Sequence, residues 1–464
     1  MDYQNPEIQP GMEAMMARAD EAASDPTRPV YHFGPPSGWM NDINGPLLHK
    51  GYYHVFYQLN PFHTDARYGT HWAHARSTDL VHWEHLPLAI WPSTEAGETS
   101  CYSGTAAFNR DGQPVILYTC TRKWGRDRVV PEPFEQWAAI GDDDLINWTK
   151  YADNPALSHE RDARPEFDWR WRDPFFFFEQ GRSFMVLGAT GVGTPIWESE
   201  SGDLLNWTYR GLASDISQEC PNLFKLGDDW VMLTSPYTPV DYYIGDFDID
   251  TYRYTHRVNG RIEPTKTFYG TNILFDADGR CLLLGRLLRT FEGAAWNGCM
   301  ALPRVLTIGE DGHPRQTPVE EIEMLRGEHY SSPDMALDSQ TKLLDARGDA
   351  LEINIEIEPA GASFAGLRVR RSDDGADGVR IGYDGESVWV GGIEMPYPQA
   401  AGQGSIKLRV FLDKSVIEVF VDDGARVATN FIDCGVNDLG VELVARGGDA
   451  AFRSIDIWEM ESIS

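Results

Sequence analysis

The chain has 464 residues, of which 42% are hydrophobic, and a formal net charge of −31. That length allows roughly two to four domains, and so acidic a surface repels phosphate backbones, which excludes nucleic acid as a partner. No apolar run approaches the ~18–20 residues of a membrane helix. The opening Met1-Asp2-Tyr3-Gln4-Asn5-Pro6 lacks the basic and apolar regions of a secretory signal. A cytoplasmic protein is expected, unless an export signal has been cut away. Cys101, Cys120, Cys220, Cys281, Cys299 and Cys434 contain no Cys-x-x-Cys pair, which fits reduced, mostly buried thiols and no structural zinc. Aromatic residues make up 12%, which suits sugar stacking and an aromatic-packed β fold equally.

Residues 1–29 read as a leader. Positions 12–23 are mostly good helix formers, and Ser24-Asp25-Pro26 stops them. From Tyr31 the texture turns to short strands such as Tyr52-Tyr53-His54-Val55-Phe56-Tyr57-Gln58, Val115-Ile116-Leu117-Tyr118-Thr119 and Ser183-Phe184-Met185-Val186-Leu187-Gly188, bounded by turn residues. The class is all-β. Ser77-Thr78-Asp79-Leu80-Val81-His82-Trp83 recurs as Asp142-Asp143-Asp144-Leu145-Ile146-Asn147-Trp148 and as Ser201-Gly202-Asp203-Leu204-Leu205-Asn206-Trp207. The steps of 65 and 59 residues suit four strands with long loops, so residues 30–326 are expected to form a five-bladed β-propeller, with a Trp buried at the turn of each copy. Residues 327–338 are polar and read as a linker. Residues 339–464 alternate apolar and polar, as in Leu351-Glu352-Ile353-Asn354-Ile355-Glu356-Ile357 and again over 408–421, which predicts a C-terminal β-sandwich.

Three acidic motifs stand out. In Trp39-Met40-Asn41-Asp42-Ile43-Asn44-Gly45 a carboxylate lies between two amides. An isolated loop Asp usually caps a turn, but Asn41 and Asn44 suit sugar hydroxyls and Trp39 offers a flat wall for a sugar face. In Trp171-Arg172-Asp173-Pro174 the Arg-Asp pair precedes four phenylalanines, at the edge of a buried strand. In Gln218-Glu219-Cys220-Pro221, Glu219 taken alone reads as structural. His71, His74, His82 and His85 have no acidic partner at ligand spacing, and on a strand His71 and His74 face opposite ways. No metal and no cofactor is expected.

The first motif resembles, in six positions of seven, the Trp-Met-Asn-Asp-Pro-Asn-Gly box of glycoside hydrolase family 32, the invertases, inulinases and levanases. The Arg-Asp-Pro and Glu-Cys-Pro boxes and the C-terminal sandwich carry the same resemblance. It implies a retaining β-fructofuranosidase acting on sucrose or short fructo-oligosaccharides. Asp42 would be the nucleophile, Glu219 the acid/base and Asp173 the transition-state stabiliser. A retaining pair of carboxyls is expected ~5–5.5 Å apart, and Arg172 is expected to keep Asp173 ionised. Trp39, Asn41, Gln58, Trp72, Ser103 and Arg172 would bind the fructosyl unit, and Trp296 would wall the leaving-group side. Ile43 stands where the family usually has Pro, and Asn222 where many members have Asp. Both departures bear on specificity. A fructosyltransferase of the same fold, an inverting arabinanase-like five-blade hydrolase and a non-catalytic sugar-binding propeller are the alternatives. Oligomeric state stays open.

Overall fold

A computed structural model describes residues 5–122, 132–398 and 404–463. Residues 1–4 of the expected leader lie outside it. Strands dominate, and the first five sheets in the chain each hold a run of four antiparallel strands stepping outward from an innermost one. The innermost strands are Gly38–His49, Ser100–Phe108, Arg172–Glu179, Glu219–Leu226 and Phe268–Phe275. They define blades I to V of a five-bladed β-propeller. Blade I gains a parallel edge from Trp296–Asn297, which pairs with Gly38 and Trp39 and so closes the ring with chain from blade V.

The recurring Asp-Leu-x-x-Trp segment is the turn between the third and fourth strands of blades I, II and III. Its fixed feature is the leucine. Leu80, Leu145 and Leu204 take left-handed φ of 64°, 61° and 61° and are at most 1% exposed. An aspartate holds each turn by accepting two backbone N–H groups: Asp79 from Val81 and His82, Asp142 from Ile146 and Asn147, Asp203 from Leu205 and Asn206. The buried tryptophan expected here is found only at Trp148; Trp83 and Trp207 are half-buried.

The expected linker is a correction. Arg326–Ser332 and Met335–Asp338 are strands that pair with the long strand Asp449–Met460. They sit at a sheet edge with mostly wet side chains, so their composition imitates a linker. The sandwich packs a seven-stranded sheet on a six-stranded one. Its core is the inward set of the alternation, Leu351, Ile353, Ile355 and Ile357 among them. The 408–421 stretch folds as a hairpin, Ile406–Asp413 and Val416–Val421, turning at Lys414.

The leader is helical over Gln9–Ala17 and Ala19–Ala23 and docks Ile8, Met12 and Met15 into the core of blade I. Where the propeller meets the sandwich, charges are fully buried. Arg304 spans Glu263 at 2.6 Å and Glu418 at 2.5 Å, and His32 bridges Asp413 at 2.8 Å and Glu418 at 3.0 Å. Asp413 also accepts the backbone N–H groups of Val30, Tyr31 and His32. Such a network tolerates burial because nearly every charge in it has a hydrogen-bonded partner.

Candidate active site

Each blade contributes to the axis through the same backbone device. A break of register falls between Met40 and Ile43, Cys101 and Gly104, Glu219 and Asn222, and Tyr269 and Asn272, and in blade III between Val186 and Gly188 opposite Arg172. A bulge bends a strand and re-aims its side chains. Here the bulges turn Asp42, Ser103, Glu219 and Tyr269 toward one cavity of about 420 Å³, which Arg172 and Asp173 also line. Asp173 and Cys220 adopt left-handed φ of 62° and 49°. Strain of that kind persists only where surrounding structure over-determines it. Here the Asp173 N–H donates to Thr119 Oγ1 at 2.9 Å, and the Cys220 N–H donates to Asp173 Oδ2 at 3.2 Å.

Asp42 is 9% exposed. Its Oδ2 accepts the Ser103 hydroxyl at 2.7 Å. Ser103 is itself the acceptor of Gln58 Nε2 at 3.1 Å, and Gln58 Oε1 accepts Asn41 Nδ2 at 2.6 Å. Asp42 Oδ1 has no hydrogen-bond partner among the described residues; it faces Arg286 Nε at 3.5 Å. It fits because Gly270 carries no side chain, since a Cβ there would lie 2.2 Å from it.

Glu219 is held at both oxygens. Oε1 accepts the Tyr269 hydroxyl at 2.8 Å, and Oε2 pairs with Arg172 Nη2, which also meets the Tyr237 hydroxyl. The Tyr269 oxygen lies 2.5 Å from the Ser235 carbonyl and accepts the Tyr237 N–H at 2.6 Å. Asp173 is buried, and burial pushes its carboxyl above the usual range, with Asp42 adding to the rise; Arg172 and Cys220 act the other way. Arg172 pulls in the expected direction, but burial outweighs it. Its Nη2 is committed to Glu219 and Tyr237, and only Nε approaches Asp173, at 3.5 Å.

The description "Glycosyl hydrolases family 32 N-terminal domain" matches residues 32–318, and "Glycosyl hydrolases family 32 C terminal" matches residues 321–459. The chain belongs to glycoside hydrolase family 32. Among its curated relatives, a levanase of Bacillus subtilis is 29% identical over 94% of this chain and 71% of its own length. A sucrose-6-phosphate hydrolase of Escherichia coli is 28% identical over 96% and 97%. Among solved structures, fructan 1-exohydrolase IIa from Cichorium intybus superposes with a TM-score of 0.83 at 25% identity, covering 94% of this chain and 98% of that one. The Bombyx mori GH32 β-fructofuranosidase BmSUC1 superposes with a TM-score of 0.83 at 25% identity, covering 99% of both chains.

The family-32 site gathers Trp39, Asn41, Asp42, Gln58, Ser103, Arg172, Asp173 and Glu219 around one cavity. Two expected residues lie elsewhere. Trp72 is 0% exposed and donates its indole N–H to the Tyr102 carbonyl, so it supports the wall from behind. Trp296 is 1% exposed and donates to Asp25 Oδ2 at 3.0 Å, so it anchors the leader and walls no leaving-group side. Asn44 is likewise buried, accepting the Gly104 N–H at 3.1 Å, so it braces blade I against blade II. Ile43 belongs to the blade I core, and Asn222 accepts the Thr271 hydroxyl at 3.0 Å.

Tyr102, Tyr237, Tyr269, Arg286, Lys266 and Arg67 line the cavity without having been singled out in the sequence. Only the aromatic-glycine pair Tyr269-Gly270, at the start of a β-like run, offered any signal. Burial pushes His54, His71 and His85 down to about 4. Among the described residues no group of three or more His, Cys, Asp or Glu is placed to hold a metal ion.

Proposed function

We propose that this protein hydrolyses β-D-fructofuranosides of sucrose or short fructo-oligosaccharides with retention of configuration. The observation that carries the reading is that Asp42, Asp173 and Glu219, from three blades, line one cavity. Its volume of about 420 Å³ lies in the range of small-ligand sites. Asp42 attacks the anomeric carbon C2, and its carboxylate is steadied by Ser103 on one oxygen. Glu219 gives its proton to the departing glycosidic oxygen, then takes one from water as that water cleaves the fructosyl ester. Asp173 grips ring hydroxyls through charge-assisted hydrogen bonds that tighten as the ring flattens.

Tyr269 suits a residue that changes protonation state twice per turnover. When Glu219 is ionised, the Tyr269 hydroxyl donates to it. When Glu219 is protonated, the same hydroxyl can turn to the Ser235 carbonyl while keeping the Tyr237 N–H on a lone pair, which leaves the carboxylic proton for the departing oxygen. Arg172 Nη2 pairs with Glu219 Oε2 and so fixes the orientation of that carboxyl in the cavity.

The test is incubation with sucrose, inulin and levan, with chromatography of products and NMR of the first-formed anomer. Free fructose appearing as the β anomer is expected. The α anomer appearing first would refute retention, and cyclic or lengthened products would establish a transferase instead.

A further inference from the structure

On the six-stranded sheet of the sandwich, the face turned away from the core carries Phe364, Gly366 and Arg368 on one strand and Arg380 and Gly382 on the next. Trp389 stands opposite Gly382 on the third strand, and Arg446 opposite Phe364 on the strand that flanks the first on its other side. These positions surround a cleft of about 690 Å³ that shares no lining residue with the propeller cavity.

Three features of the cleft are unusual together. First, Arg368 and Arg380 are direct cross-strand partners. Like charges so placed destabilise a sheet. Glu442 answers Arg368 at 2.5 Å, but among the described residues no carboxylate pairs with Arg380, whose guanidinium feels burial, Arg446 and Arg368, all disfavouring its charge. This happens in a protein of net charge −31, where a carboxylate partner would be easy to supply. Second, the floor is aromatic. The Phe364 ring lies over Gly382, where a Cβ would come within 2.7 Å of it, and half-buried Trp389 stands beside it. Third, the acids of the cleft are engaged: Asp384 accepts the Trp389 indole N–H at 2.6 Å, and Asp433 pairs with Arg289 at 2.6 Å. Trp389 is thereby held in place by a fixed partner.

We propose that this cleft is a second, non-catalytic saccharide site, selective for sugars that carry an oxyanion, a phosphate monoester or a carboxylate. The sugar ring lies on Phe364 and Trp389, as apolar ring faces do on aromatic side chains. The oxyanion sits between Arg380 and Arg446, whose planar forks match phosphate and carboxylate geometry, and relieves the repulsion among the three guanidiniums.

Calorimetric titration of the full chain with glucose 6-phosphate, glucuronate, glucose and inorganic phosphate tests this. At least one of the two anionic sugars is expected to bind at least tenfold more tightly than glucose, and the tighter of the two identifies the oxyanion. That binding is expected to weaken at least tenfold in the doubly substituted Arg380→Gln, Arg446→Gln chain and in Trp389→Ala, with melting curves close to that of the unsubstituted protein. Arg380 and Arg446 are exposed, so the double variant should fold. Absence of binding by both anionic sugars would overturn the proposal. So would binding that survives the double substitution, which would assign it to the propeller cavity. Inorganic phosphate binding as tightly as the sugar phosphate, indifferent to Trp389→Ala, would reduce the cleft to a plain anion patch and also overturn it.

Discussion

Replacing Gly270 with alanine should disable the site through one methyl group. Gly270 has φ of +56°, and an added Cβ would lie 2.2 Å from Asp42 Oδ1 and 2.6 Å from its carboxyl carbon, where ordinary contact begins at 3.4 Å. The carboxylate must therefore retreat by roughly 1 Å, and a misplacement of that size costs about 10²-fold in rate, or about 2.7 kcal/mol of barrier. The left-handed backbone adds a separate stability cost of about 1–2 kcal/mol. Gly279 provides the control, because its φ is +79° and a Cβ there meets nothing within 4 Å. Both variants should lose similar stability in thermal melts, while only Gly270→Ala loses turnover in fructose release from sucrose. Turnover of Gly270→Ala within threefold of the parent, or an equal loss in Gly279→Ala, would refute the argument that this glycine exists to make room for Asp42.

Glu219→Gln should slow sucrose cleavage by about 10²–10⁴-fold yet release nitrophenol from an aryl β-fructofuranoside in a burst, with azide accelerating the slow phase; equal damage to both substrates would remove Glu219 from the acid/base role. Asp173→Asn should lower kcat far more than it raises KM, because its grip strengthens in the transition state, and a change confined to KM would make it a binding residue only. The His32 imidazole is raised to about 9 by hydrogen bonds to Asp413 and Glu418 that outweigh its burial. Its folded value exceeds its unfolded one, so its contribution, about 3 kcal/mol, is complete below pH 6.5 and is lost as pH rises toward 9. Denaturant midpoints at pH 6 and pH 9.5 should show that loss, and His32→Gln should flatten it; a slope unchanged by the substitution would be the contrary result.

The three acidic motifs were legible because each is local: Asp42, Asp173 and Glu219 lie at or near the start of an innermost strand and are flanked by the residues that bend it. The blade repeat was legible for a similar reason, since a turn held by an aspartate and a left-handed leucine must be written within a few residues. What the sequence hid depends on closure of the ring. Arg286 and Gly270 meet Asp42 only because blade V packs beside blade I, across more than 200 residues of chain. Trp72 and Trp296 misled because an indole packed behind a wall and one exposed on it look alike in one dimension. The strands at 326–338 were read as a linker because edge strands with wet faces lack the alternation that marks buried ones.

The carboxylate of Asp413 has a consequence for how the chain is made. It receives the N–H groups of Val30, Tyr31 and His32 across 381 to 383 residues of sequence. A ribosome adding about 5–20 residues per second takes on the order of 20–80 s to deliver it after those amides have emerged. Until then His32 and, later, Arg304 also lack Glu418, which binds both. The first propeller residues are therefore finished only once residues 413 and 418 have been made, and a nascent chain stalled before residue 413 would carry a ring whose opening amides lack their carboxylate.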